Sequence, residues 1–284
     1  MTTHTTAPTQ HVTVNGDRIA YRRFGTATGT PVLLLQHFRG GLDNWDPLLT
    51  DGLAADRPVI LLDSVGVSGS AGEVPVTFEA MADFAADFVR VLGLALVDVV
   101  GFSIGGAVAQ ALTFRHPELV RRLVLLGTIP PAGDMSEAEA KVLDVVMHPD
   151  LTLDDYLYLF FGRSAAAKQA GREFWQRRHQ RTTDYDPEAT PAVGERQQQA
   201  VVSWAQWSEA DRDAALQAIT QPTLVANGDH DIMLPTVNSH LLAKHIPNSQ
   251  LIIYPDSGHA SQFQYPKAFL AHLRQFLDAE VVFS

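Results

Sequence analysis

Apolar and polar positions alternate along this chain in two rhythms. Short, almost wholly apolar runs lie at 31–35, 58–62, 96–100, 122–126, 222–226 and 251–254. A strand apolar on both faces leaves no side for water, so such runs belong in a parallel sheet covered by helices. Between several of them apolar residues recur at helical spacing, at 77–92, 104–115 and 236–245, and a last helical pattern spans 266–279. Strands and helices alternating at these lengths predict a layered α/β fold. Ahead of the first run, 11–14 and 18–23 flank Asn15-Gly16, a pair suited to the left-handed dihedrals of a tight hairpin turn. The sheet should therefore open with an antiparallel pair, preceded at 1–10 by a polar tail expected to be disordered.

The alternation breaks once. From 132 to 220 no strand pattern occurs, a length far beyond an ordinary connection. A helical cap insertion is expected at 132–220, with 11–131 and 221–284 forming the core. Ser136 with Glu139, Thr152 with Asp155 and Ser208 with Asp211 have the spacing of a capping box at a helix start, and Pro149, Pro187 and Pro191 interrupt the helices. The insertion is rich in aromatic residues, among them Tyr156, Phe160, Phe174, Trp175, Trp204 and Trp207. Most should pack the insertion's own core, with Trp204 expected among those facing a substrate pocket.

Composition narrows the function classes. The chain has 284 residues, enough for one large core, and 32 acidic against 21 basic residues give a net charge of −11. That balance argues against a phosphate backbone or an anionic membrane surface, so no nucleic-acid or membrane partner is expected. The absence of cysteine excludes disulfides, thiolate metal sites and cysteine nucleophiles. The polar opening lacks a basic segment followed by an apolar stretch, and no apolar run approaches the roughly 20 residues of a membrane span. A cytoplasmic chain is expected; self-association as a homo-oligomer stays open.

The chemistry begins where the run at 96–100 meets the helical pattern at 104–115, through Gly101-Phe102-Ser103-Ile104-Gly105. A serine on a tight strand-to-helix turn has its hydroxyl thrust out of the sheet, at the positive end of the following helix. The small flanking residues let the turn close. Such a hydroxyl needs a base to take its proton and a carboxylate to orient that base. In a parallel sheet the carboxyl ends of the strands share one edge, so residues just after separate strands converge. The run ending at Ala226 is followed by Asn227-Gly228-Asp229-His230-Asp231, and the run ending at Tyr254 by Pro255-Asp256-Ser257-Gly258-His259. The order is serine, acid, histidine, with Asp229 and Asp231 both in reach.

From residue 11 onward the chain resembles the α/β-hydrolase family, in particular its cap-bearing branch of esterases, lactonases, carbon–carbon bond hydrolases and cofactor-free haloperoxidases. The likeness rests on the Ser103 turn, on Gly228, Asp231 and Pro235 as Gly-x-x-Asp-x-x-x-Pro, and on Gly258-His259. It implies an α/β-hydrolase fold with a helical cap, Ser103 as nucleophile, His259 as general base and Asp231 as its orienting carboxylate. It also implies an oxyanion hole from the backbone N–H groups of Ile104 and Phe38, because Gln36, His37 and Phe38 stand where the family has a histidine, a glycine and the oxyanion residue. His37 and Arg39 depart from that pattern beside the pocket and are expected to shape substrate choice or to tie down the loop.

The resemblance leads to a serine hydrolase acting on a carboxylic ester or lactone of a small, mostly apolar molecule, without cofactor. Perhydrolysis and carbon–carbon bond hydrolysis use the same triad, and a ligand receptor on this scaffold is the non-enzymatic alternative. A serine at the turn argues against the dehalogenase and epoxide hydrolase chemistries, which resemble this scaffold with an aspartate nucleophile. A nucleotide site is not expected, since the turn lacks both Gly-x-Gly-x-x-Gly spacing and a phosphate-loop lysine. Nor is a metal, because neighbouring residues in Asp229-His230-Asp231 point in opposite directions on an extended segment.

Overall fold

A computed structural model describes residues 2–279. Its strands are β1 (Gln10–Val14), β2 (Asp17–Gly25), β3 (Val32–Leu35), β4 (Pro58–Leu62), β5 (Val97–Phe102), β6 (Val120–Leu126), β7 (Thr223–Gly228) and β8 (Ser249–Tyr254). They form one sheet in the order β1-β2-β4-β3-β5-β6-β7-β8. The expected hairpin joins β1 to β2 antiparallel, with Asn15 and Gly16 at φ 52° and 96°. β2 also runs antiparallel to β4, and every pair from β4 to β8 is parallel.

The apolar runs are buried on both faces because successive side chains feed different layers. Leu33, Ile60, Val99 and Leu123 pack under α2 (Phe78–Val91) and α3 (Ile104–Arg115). Val32, Leu34, Leu61 and Val100 pack on the other face against Leu49 and Leu53 of α1 (Pro47–Ala54) and Phe269 and Leu273 of a C-terminal helix, Pro266–Asp278. Between β6 and β7 lie α4 (Lys141–Val146), α5 (Leu153–Phe160), α6 (Ala165–Arg178), α7 (Pro191–Ala205) and α8 (Glu209–Gln217). α9 (Val237–His245) follows β7, and the short α10 (Ser261–Gln264) precedes the C-terminal helix, α11. Among the described residues no helix is long and apolar enough to cross a membrane.

Two local expectations fail for identifiable reasons. Residues 2–9 are not a loose tail: His4 and Ala7 are buried, and the His4 backbone N–H donates to Asp51 Oδ1 at 2.6 Å. Arg181, far along the chain, donates to the carbonyls of His4 and Ala7. Met1, the first residue of that expected tail, lies outside the described residues, as do 280–284 at the end of the expected core. The spacing of Ser136 and Glu139 does not start a helix either, because Glu139 accepts from Tyr158 and pairs with Arg163, leaving α4 to begin at Lys141. The Thr152–Asp155 box forms, and Ser208 caps α8 through the Asp211 N–H.

A buried ionic network joins the segment after α6 to the core. Arg22 of β2 pairs with Asp43, whose Oδ2 accepts from the Asp186 backbone N–H at 2.7 Å. The Asp186 carboxylate accepts from Leu42 N–H at 3.0 Å and lies beside the buried carboxyl of Asp63, both close to Gly69. Burial pushes both carboxyls up, Asp63 well above the usual range and Asp186 to about 6, because two adjacent desolvated carboxylates cannot easily both ionise. The unfolded chain releases these protons near pH 4 while the folded protein holds that of Asp186 up to about pH 6, so this group contributes less stability as pH rises through that window. Asp186→Asn should lessen the fall in melting temperature between pH 4 and 7 by about 2–4 °C relative to the unmodified chain, read by calorimetry across that range.

Candidate functional site

β5 ends in the turn the sequence predicts. Ser103 sits at φ 58° and ψ −123°, a conformation disfavoured for any residue with a Cβ, between β5 and the first residue of α3. The turn closes only because its neighbours are glycines. A Cβ on Gly101 would strike the Gly105 carbonyl, and one on Gly105 would strike the carbonyls of Leu35 and Gln36 at the end of β3. Ser103 N–H donates to Leu126 O at 2.9 Å and Ser103 O accepts from Thr128 Oγ1 at 2.7 Å, so both sides of the strained residue are fastened to β6 and the loop after it.

The loops after β7 and β8 bring an acid and a base to the same corner. Asp231 Oδ2 lies 2.7 Å from His259 Nδ1, with both side chains fully buried. The other oxygen, Oδ1, accepts from the backbone N–H groups of Met233 and Leu234, so the carboxylate is locked in place. Asp229 faces elsewhere: it binds His230 and accepts from the Asp256 and Ser257 N–H groups, which makes it the brace of the histidine loop. The centre of the His259 ring lies 5.0 Å from that of Phe102, the residue before Ser103, and 5.7 Å from that of Phe160 of α5. Its Nε2 is buried and has no hydrogen-bond partner among the described residues. A ring fixed in orientation by a charged hydrogen bond at one nitrogen, with the other nitrogen free, is poised to take up a proton.

The loop after β3 supplies the third part. Here the left-handed backbone of Arg39, φ 56°, turns the chain sharply. His37 N–H donates to Gln36 Oε1, Arg39 N–H to Gln197 Oε1, Gly40 N–H to His37 O, Gly41 N–H to Asn44 Oδ1 and Leu42 N–H to Asp186. In this stretch the Phe38 N–H alone has no partner among the described residues. The Ile104 N–H, at the first position of α3, is free of an intrahelical acceptor for the usual geometric reason. Both residues suggested for an oxyanion hole thus retain an unspent donor.

His37 and Arg39 do different work. His37 is buried against Phe102 and Phe160, with Nδ1 2.8 Å from Phe38 O. Arg39 spends its guanidinium on the carbonyls of His148, Pro149 and Ala189, pinning the residues flanking α5 and α7 onto the loop. Two cavities adjoin this loop. One of about 40 Å³ lies behind Ile104 and is lined by Leu35, Leu62, Met81 and Val108, with Gln197 at its edge. The other, of about 210 Å³, lies between Phe38 and the inserted helices, where Tyr156, Trp175 and Arg178 line it. Trp204 lines neither; it packs on Phe78 and Trp207, and its Nε1 donates to Ile129 O at 3.3 Å. Tyr156 and Trp175 carried no directional signal in the sequence, and Arg178, in an Arg-Arg-His run at a helix end, reads there as solvated charge.

Sequence and structure comparisons agree with this architecture. The profile of the family described as alpha/beta hydrolase fold matches residues 30–266. The chain is a member of the α/β-hydrolase family. It is 27% identical over 261 residues to 2-hydroxymuconate semialdehyde hydrolase of Pseudomonas sp. strain CF600, covering 89% of this chain and 88% of that one. It is 31% identical over 258 residues to poly(3-hydroxyalkanoate) depolymerase of Ectopseudomonas oleovorans, covering 88% and 85%. An alpha/beta hydrolase fold protein from Chitinophaga pinensis superposes with a TM-score of 0.91 at 34% identity, over 98% of this chain and 99% of that one. The first two of these are named for different substrates.

Within this hydrolase fold the burial of His37 has a direct electrostatic reading. Removal from water disfavours the imidazolium and pushes its pKa down to about 3, so the ring is neutral throughout the working range. NMR of ring-labelled protein should show the His37 signals unmoved between pH 8 and 5.

Proposed function

We propose that the protein is a serine hydrolase that cleaves a carboxylic ester or lactone of a small molecule through an acyl-enzyme on Ser103. The observation that carries this reading is the pairing of a strained serine at the carboxyl edge of the sheet with a locked Asp231–His259 dyad whose second nitrogen is free. His259 takes the Ser103 proton as Oγ attacks the carbonyl carbon, and Asp231 stabilises the imidazolium that forms. The negative oxygen of the tetrahedral intermediate is held by the Ile104 and Phe38 N–H groups, each such donor being worth about 10²- to 10³-fold in rate. His259 then protonates the departing alcohol oxygen, and water, deprotonated by the same ring, releases the acid.

The cavities support a divided substrate. The one behind Ile104 is about a fifth the size of the other and suits a short apolar end, while the one over Phe38, about 210 Å³ against about 40 Å³, takes the larger part. Burial of His37 as a neutral ring, packed between Phe102 and Phe160, keeps charge away from the reacting carbonyl.

Ser103→Ala should lower hydrolysis of a short aryl ester by at least about 10³-fold with the fold intact, since loss of a nucleophile costs several orders of magnitude. Intact-mass analysis after incubation with a panel of esters and lactones should find one acyl adduct, absent in that variant. Among the acids, Asp231→Asn should reduce kcat far more than Asp229→Asn; the reverse ranking would assign the orienting role to Asp229. Turnover of a carbon–carbon bonded diketone in preference to every ester, or acetate-dependent bromination outpacing hydrolysis, would replace the ester reading.

A further inference from the structure

The cavity over Phe38 contains a cation for which the triad chemistry has no use. Arg178, the last residue of α6, is 3% exposed, and its guanidinium is stacked over Tyr156 at 4.8 Å and beside Trp175 at 5.3 Å. Its Nε is buried without a hydrogen-bond partner among the described residues. Its counter-charge is Glu188, paired at 3.7 Å but itself two-thirds exposed, and Asp150 also lines the cavity. An exposed carboxylate at that distance offsets only part of the cost of burying a guanidinium, and an anion that arrives with the ligand lowers it further.

We infer that Arg178 is the specificity-determining residue for a carboxylate carried by the substrate, with Tyr156 and Trp175 holding its guanidinium flat toward the cavity. The inference rests on the ester reading above and narrows it to monoesters of short dicarboxylic acids. The small cavity behind Ile104 has room for a methoxy-sized leaving group, which directs the acyl chain into the larger cavity and its far carboxylate to Arg178. A planar carboxylate matches the two-pronged geometry of a guanidinium. A phosphate dianion fits less well, because Asp150 and Glu188 also line this cavity and would repel the second charge.

The test compares kcat/KM for monomethyl adipate with that for methyl hexanoate, an uncharged ester of the same acyl length, in the unmodified chain and in Arg178→Lys and Arg178→Met. The unmodified chain should favour the charged ester. Arg178→Met should lower the charged-to-neutral ratio about 10- to 100-fold, chiefly through KM, and Arg178→Lys should restore part of it, a recovery that a purely structural role would not give. Calorimetric titration with adipate should show binding that Arg178→Met abolishes. An unchanged ratio in Arg178→Met overturns the inference; if that variant does not fold, an unchanged ratio in Arg178→Lys does so. If the unmodified chain cleaves neither ester, the ester reading fails separately, and adipate titration alone decides: Arg178-dependent binding upholds the carboxylate subsite, and no binding overturns it.

Discussion

The close approach of α3 to the end of β3 is the constraint on which the site depends. Gly105 lets the first turn of the helix lie against the carbonyls of Leu35 and Gln36, and that contact sets the Ile104 N–H beside the loop that carries the Phe38 N–H. The two donors come from segments far apart in the sequence, yet their separation is fixed by packed backbone and by neither side chain. Strain at Ser103 is held by the same means, through bonds from its N–H and its carbonyl to Leu126 and Thr128. A disfavoured dihedral persists only where its surroundings over-determine it.

The inserted helices are bound to the core by charge as much as by apolar contact. Arg177 pairs with Asp46, which also caps α1 through Leu48 N–H; Arg39 reaches the carbonyls of His148, Pro149 and Ala189; and Asp186 meets Leu42 and Asp63. Most of these ties converge on the 37–46 loop. The segment that carries the Phe38 N–H is therefore also the seat of the insertion, and a change in either is felt in the other.

Much of this was legible in the sequence, and the failures share a cause. Strands such as β3, β4 and β5 are visible because burial on both faces leaves a continuous apolar run, and Ser103, Asp231 and His259 are visible because strand ends in a parallel sheet share an edge. The choice of Asp231 over Asp229 needed the family spacing, since both follow β7; the structure separates them by what else each carboxylate binds. The burial of residues 2–9 and the fate of Glu139 were not legible, because each is decided by partners distant in the chain: Asp51 and Arg181 for the first, Tyr158 and Arg163 for the second. Trp204 and Arg178 show the same limit in opposite directions. An aromatic residue on a helix carries no sign of which face it will present, and an arginine at a helix end gives none of being enclosed.

Ser103 is 4% exposed and His259 wholly buried, with the rings of Phe102 and Phe160 packed beside that of His259. Little surface of either side chain meets solvent in this conformation, so a molecule that reaches them does so while neighbouring side chains are displaced. Every apparent affinity is then the intrinsic one scaled by the fraction of molecules standing open. Selection among incoming molecules accordingly acts twice, first on passage while those side chains are displaced and again on fit once they have returned.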